Sequence, residues 1–260
     1  MAVSTRMTAD FLNSRSDRPR WIPVPPEFRP RTIDEVYSLQ KSVHEAMERN
    51  GQRLAGYKVG AISKPGQMAY GLSEPVYAGM FADNQRPDLA TALSLPLLSP
   101  SLECEIAFRL KTALDGSNLR LSREDLAEAV DTCHIACEIV DNRYGQPLEV
   151  GLPSLLADDF FHAAFVLGDA NSKWRNLDLT KLEASIEIDG IVARGNSGAS
   201  LDALSSLNWL ILALAKKGLS LREGDVVMSG TIVPPTAITL PARSVSLSIE
   251  GFSPLSLKMR

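Results

Sequence analysis

The segment Ser101-Leu102-Glu103-Cys104-Glu105-Ile106-Ala107-Phe108 sets two carboxylates at i and i+2 in a run that otherwise has strand composition. In a strand both point to one face, about 7 Å apart along the chain. Like charges on a largely apolar element repel and lose hydration, which is unfavourable unless a cation compensates them. A third carboxylate, Glu138, stands in Ala136-Cys137-Glu138-Ile139-Val140 with apolar residues on both sides. Three oxygen ligands without a paired histidine suit Mg²⁺ or Mn²⁺ better than Zn²⁺. The competing arrangement puts Glu103 and Glu105 on the wet face of an amphipathic edge strand and pairs Glu138 with Arg143. Spacing alone favours it, because isolated E-x-E pairs are common and charge clusters also occur in structural roles.

Strands and turns must position these side chains. Thr32 with Glu35 makes a capping box, and Ile33, Val36, Leu39, Val43 and Met47 recur at three- and four-residue steps up to Asn50 and Gly51, which predicts an amphipathic helix. Short apolar runs at 56–60, 74–81 and 103–110, separated by Gly and Pro, read as strands. Ser122 followed by Asp125 starts a second helix running towards Cys133, and Ile135 to Val140 is a strand. Asp189-Gly190, between Ile188 and Ile191, is a hairpin signal. Leu201, Leu204, Leu207, Ile211 and Leu214 form the stripe of a third helix, with Lys216 and Lys217 near its negative end and Gly218 as its stop. Val245, Leu247 and Ile249 then alternate against serines. Many strands among few helices exclude a doubly wound parallel sheet and predict an α+β domain on a β core.

Composition narrows the setting. With 260 residues and 45% hydrophobic content the chain can bury one sizeable core, with a small N-terminal appendage. Lys and Arg number 27 against 31 Asp and Glu, and a net charge of −4 offers phosphate backbones no footprint, which counts against nucleic-acid binding. Three cysteines make no disulfide framework and point to a reducing compartment, the cytoplasm. The first thirty residues lack an apolar run for a secretory signal, and Asp10 and Asp17 count against a transit peptide. Val226 to Ala242, the longest uncharged stretch, is broken by Gly and Pro and predicts no membrane span. Arg18 to Thr32 carries five prolines around Trp21 and reads as an extended arm.

Four motifs occur in one order: Gly56-Tyr57-Lys58-Val59-Gly60; Glu103 with Glu105; Glu138-Ile139-Val140-Asp141-Asn142-Arg143; and Gly224-Asp225-Val226-Val227-Met228-Ser229-Gly230-Thr231. Their order and intervals resemble the 2-keto-4-pentenoate hydratase and 4-oxalocrotonate decarboxylase family, within the fumarylacetoacetate hydrolase superfamily. The resemblance runs from about the first helix to the C-terminus. It implies a mixed β-sheet roll with a few flanking helices, an N-terminal arm and helix over 1–52, and a metal-dependent catalytic domain over 53–260. It also implies that Glu103, Glu105 and Glu138 hold Mg²⁺ or Mn²⁺, and that Lys58 moves protons on a conjugated substrate or orients water. By itself Lys58 reads as a surface strand lysine; Gly56 and Gly60, which let backbone approach a ligand closely, favour the functional role. Asp158, Ser229 and Thr231 are the implied substrate contacts, with an ordinary strand-ending turn as the alternative for Ser229-Gly230-Thr231.

The implied activity is hydration of a 2-hydroxy-2,4-dienoate or 2-oxo-alkenoate, as in aromatic-ring degradation, by a homo-oligomer. The alternatives are decarboxylation of an oxalocrotonate-type 2-oxo acid and a catalytically silent subunit that partners such an enzyme. Hydrolytic C–C cleavage ranks lower, because no Glu–His pair is evident in the sequence. The chain departs from the family at Val76, where hydratases carry Asp; at Phe160 and Phe161, which replace small residues and predict a narrower or more apolar pocket; and at Leu201-Asp202-Ala203. His44, His134 and His162 form no metal-spaced pair and read as structural. Cys104, Cys133 and Cys137 read as buried and inert, and Gly195 and Gly198 lack the context of a nucleotide loop.

Overall fold

Thr32 opens helix α1 (Ile33–Arg49), its hydroxyl accepting the Glu35 N–H at 3.2 Å. The structure, a computed structural model, describes residues 8, 32–116, 121–144 and 151–257. The Pro-rich arm expected ahead of Thr32 lies outside them. After α1 come β1 (Leu54–Gly60), α2 (Lys64–Ala69), β2 (Val76–Phe81), β3 (Gln85–Arg86), α3 (Leu89–Leu93) and β4 (Pro100–Leu110). The middle of the chain forms α4 (Arg123–Ala129), β5 (Val130–Asp141), α5 (Leu152–Ala157) and β6 (His162–Ala170). It ends with the hairpin β7 (Glu183–Ile188) and β8 (Ile191–Asn196), α6 (Ala203–Ala215), β9 (Val226–Met228), β10 (Thr236–Ala237), β11 (Val245–Ile249) and β12 (Leu255–Ser256).

Seven strands form a mixed sheet in the order β2-β1-β9-β4-β5-β6-β3, with β10 also paired to β4. The β1–β9 and β3–β6 pairs are parallel; the other neighbours are antiparallel. A second sheet runs β12-β11-β7-β8, its hairpin closed by Asp189-Gly190 as the sequence predicts. The architecture is the expected α+β one.

Alternation along the central strands gives the large sheet two unlike faces. Tyr57 and Val59 of β1, Cys104, Ile106 and Phe108 of β4, and Ile135, Cys137 and Ile139 of β5 enter the main core. Val36, Leu39 and Val43 of α1 and Leu207, Ile211 and Leu214 of α6 belong to that same core. The opposite face carries a small apolar cluster, Met80, Ala107, Ala136, Phe165, Val226 and Met228, in register with Lys58, Glu103, Glu105 and Glu138.

Two local expectations change. The helix expected to reach Cys133 stops at Ala129, and the chain passes directly into β5 at Val130. Val130 pairs with Leu110 across β4, and β-branched Val130 and Thr132 suit a strand, so sheet pairing overrides the local helix signal. Gly56 admits the chain itself, and Gly60, which lines the cavity, also stands against a ring of the chain. Gly56, at φ +142°, sits at a bulge where an added Cβ would stand 1.9 Å from the Val226 carbonyl oxygen. At Gly60 it would meet the Phe160 ring at 2.9 Å.

Gly56→Ala therefore has no unstrained solution without separating β1 from β9. It is expected to cost about 3 kcal/mol or more in chemical denaturation; a loss under about 1 kcal/mol would show that the strand pair yields freely.

Candidate active site

Antiparallel pairing of β4 with β5 sets Glu103 directly opposite Glu138, and Glu105 follows two residues along on the same face. One carboxylate oxygen from each lies within 4.8 Å of the others. The wet edge-strand arrangement does not hold: β4 is interior, between β5 and β9, and Glu105 and Glu138 are both 0% exposed. Nor does Glu138 pair with Arg143, which meets Asp158 instead.

The partner of Glu138 is Lys58, whose Nζ lies 2.6 Å from Oε1 and also donates to the Phe160 carbonyl at 2.9 Å. His162 Nδ1 reaches the same Oε1 at 2.8 Å. Burial acts to raise the Glu138 carboxyl, but Lys58 and His162 together hold it below its ordinary value. Burial, followed by the charge of Glu138, pushes Glu103 up to about 7. Burial and the charges of Glu138 and Glu103 drive Glu105 well above the carboxylate range. For Lys58, burial would lower the amine, yet the three glutamates outweigh it and hold it high.

One ammonium cannot satisfy three carboxylates. Glu105 Oε1 and Glu138 Oε2 are buried without a hydrogen-bond partner, a costly condition for charged oxygens. An oxygen-only donor set suits a hard divalent cation, and bonds of about 2.1–2.5 Å let one ion span oxygens up to about 4–5 Å apart, a limit the three oxygens meet by lying within 4.8 Å of one another. These residues fit such an ion.

Lys58 and Glu103 open onto a cavity of about 310 Å³, whose wall includes Tyr70, Phe160, Phe161 and Thr231. Asp158 and Ser229 are not among its described lining residues. Asp158 is buried against Arg143 and accepts the Tyr144 hydroxyl, while the Ser229 hydroxyl donates to the Ile106 carbonyl at 2.8 Å. Thr231 lines the cavity but donates its hydroxyl to the Val233 carbonyl. In the same turn it is the Gly230 N–H that serves the carboxylates, reaching Glu105 Oε2 at 2.7 Å. Gly230 has φ +98°, and a side chain there would strike Ile62 at 2.6 Å.

Two histidines are satisfied within the fold, His44 by Asp159 and His134 by the Gly168 carbonyl. His162 departs from that expectation by holding a site carboxylate. The signal was present, since a polar ring inside an apolar run must find a partner when buried. The resulting Glu–His pair lies behind Glu138: His162 is not among the residues lining the cavity. The three cysteines are free and buried, and Cys104 Sγ turns towards the Ser248 carbonyl on the face opposite the glutamates.

A 2-keto-4-pentenoate hydratase of Paraburkholderia phymatum is 31% identical over 218 residues, covering 83% of this chain and 82% of that one. The chain belongs to the 2-keto-4-pentenoate hydratase and 4-oxalocrotonate decarboxylase family. Within it, a 4-oxalocrotonate decarboxylase of Pseudomonas putida is 27% identical over 87% of this chain and 85% of that one. The solved structure of the decarboxylase from Pseudomonas putida G7, complexed with magnesium and adipate, matches with a TM-score of 0.83 at 23% identity, covering 96% and 95% of the two chains. No protein-family model matches the chain.

A pH dependence follows for this hydratase-family site. Folding raises the proton affinity of Glu103 and Glu105, so the metal-free protein holds that contribution to stability at low pH and loses it as pH rises through about 7. A cation works in the opposite direction, because it requires the ionised carboxylates. Mg²⁺ or Mn²⁺ is expected to raise Tm more at about pH 8 than at about pH 6, and to release protons on binding, read as a buffer-dependent heat in calorimetry. An identical shift at both pH values, or its survival in Glu105→Gln, would contradict the assignment.

Proposed function

We propose that this chain is a divalent-metal-dependent lyase that adds water to a 2-hydroxy-2,4-dienoate or 2-oxo-alkenoate. The observation that carries this reading is the convergence of three carboxylates on one sheet face, two of them buried with an unpartnered oxygen and the third, Glu103, at the cavity wall beside an ammonium. The 31% identity to a hydratase across most of both chains supports it. Glu103, Glu105 and Glu138 are the residues that hold the ion, Mg²⁺ or Mn²⁺. When bound, it supplies Lewis-acid polarisation of the substrate's 2-oxygen.

Lys58 is the proton-handling group. Glu138 and the Phe160 carbonyl fix its position, and its Nζ holds a proton where the conjugated chain or the incoming water must exchange one. Ser101 and Asn142 give the cavity neutral polar groups for substrate oxygens, and Thr231, whose hydroxyl donates to the Val233 carbonyl, can accept from a substrate hydroxyl. Asp158 and Ser229 act at one remove, bracing Tyr144 and the turn before Gly230. All these residues fall within 53–260, the proposed catalytic unit, preceded by the arm and helix of 1–52. A cytoplasmic homo-oligomer completes the proposal.

Decarboxylation of an oxalocrotonate-type acid is the second reading, favoured by the decarboxylase relative at 27% identity. Incubation of the metal-loaded protein with 2-hydroxypenta-2,4-dienoate and with 2-oxohex-3-enedioate separates the two. A hydrated product is expected from the first; CO₂ from the second with no hydration would identify a decarboxylase, and turnover of neither a silent subunit. Glu105→Ala should lower turnover more than about a hundredfold through loss of the metal. Lys58→Met should cost about 10²–10⁴ with the metal still bound. Full activity in Glu105→Ala would overturn the metal assignment.

A further inference from the structure

We propose that Tyr70, Phe160 and Phe161 form a wall that reads the substrate's tail, admitting 2-oxo or 2-hydroxy monocarboxylates with a hydrocarbon chain and turning away dicarboxylates. The proposal rests on the hydratase reading and narrows it.

The wall is built by an unusual piece of backbone. Asp159, Phe160 and Phe161 are consecutive non-glycine residues at φ +54°, +48° and +68°. Cβ crowding disfavours that left-handed region, and such a run persists only where its surroundings over-determine it. Here they do. Asp159 Oδ1 accepts the Gly79 N–H at 2.9 Å and meets His44 at 2.7 Å. The Phe160 carbonyl accepts from Lys58, and the Phe161 carbonyl accepts the Asp141 N–H at 2.9 Å. The outcome is a pair of rings turned into the cavity, 5.3 Å apart between centroids. Tyr70 packs edge-on at 5.1 Å from Phe160 and tilted at 6.4 Å from Phe161, making one continuous aromatic surface. It begins beside the reacting amine, since Lys58 Nζ stands 5.5 Å from the Phe160 centroid.

Charge balance decides what this surface accepts. Three carboxylates offset a bound dication plus the Lys58 ammonium, so the loaded centre is formally neutral and the substrate's own carboxylate already makes it anionic. Among the described lining residues Lys58 is the one cation, and it is engaged by Glu138. A second carboxylate on the tail would lose its hydration against ring faces that carry partial negative charge. An alkyl or aryl tail instead removes apolar area from water there.

The test compares 2-oxohexanoate with 2-oxoadipate, equal in carbon number and differing in a terminal methyl or carboxylate, binding to the Mg²⁺-loaded protein by calorimetry. The monoacid is expected to bind at least about tenfold more tightly. In Phe161→Ala and in Tyr70→Ala the ratio should shrink to within about threefold while Mg²⁺ affinity is unchanged. Equal or tighter binding of the diacid overturns the proposal, as does a monoacid preference undiminished in both variants. Hydration of 2-hydroxypenta-2,4-dienoate, measured in parallel, distinguishes the failures. Turnover with the diacid preferred leaves the hydratase reading standing, a monoacid preference without turnover removes that reading and keeps the wall, and binding of neither acid overturns both.

Discussion

Three carboxylates and one ammonium share the buried face of a single sheet, and that imbalance organises the centre of the molecule. The strands that carry Glu103, Glu105 and Glu138 send their alternate residues into the main core, so the carboxylates cannot turn away without emptying it. Lys58 is locked in the same manner between Tyr57 and Val59. Hydrophobic packing on one face thus holds an electrostatically unfavourable arrangement on the other. Small neighbours, Ala107 and Ala136, leave room around it. Removing one member of a buried charge pair commonly costs about 3–5 kcal/mol, so the site is coupled to folding as well as to chemistry.

Features set by short-range chemistry were legible in the sequence. The Thr32 cap, the Asp189-Gly190 hairpin and the stripe of α6 from Leu204 to Leu214 depend on residues a few positions apart and are found where their patterns lie, although the Asp202 cap starts that helix at Ala203 and leaves Leu201 ahead of it. The E-x-E spacing likewise fixes a common face for Glu103 and Glu105 once β4 is a strand. What spacing does not contain is register. That Glu138 falls opposite Glu103 depends on how β4 and β5 pair over their whole length, and the same pairing moved the start of β5 to Val130. The family resemblance supplied the missing relation between motifs far apart in the chain.

Several residues conspicuous in the sequence are engaged by the fold itself. Gly56 and Gly60 make room for Val226 and Phe160, and the Ser229 hydroxyl is satisfied by Ile106. The Gly230 N–H, invisible as a side-chain signal, is what reaches Glu105. His162 is the converse, an unremarkable residue by spacing that becomes a carboxylate partner because β6 lies against β5. In each case the sequence shows the donor or the gap, and only the fold shows what fills it.

The Phe160 carbonyl joins pocket shape to charge placement. Lys58 donates both to that carbonyl and to Glu138 Oε1, so one amine anchors the left-handed turn that aims the aromatic rings and the carboxylate that faces the other two. Moving the turn would take an acceptor away from Lys58, and moving Lys58 would release the turn. The backbone at 160 and 161 is therefore tied to the charged centre even though the side chains there are not. Asp159, held by Gly79 and His44, keeps the Phe160 carbonyl within hydrogen-bond reach of the amine. Side chains at 160 and 161 can thus reshape the cavity wall without disturbing the carboxylates, since the backbone carbonyl is common to any side chain and only the rings beyond it are particular to this chain.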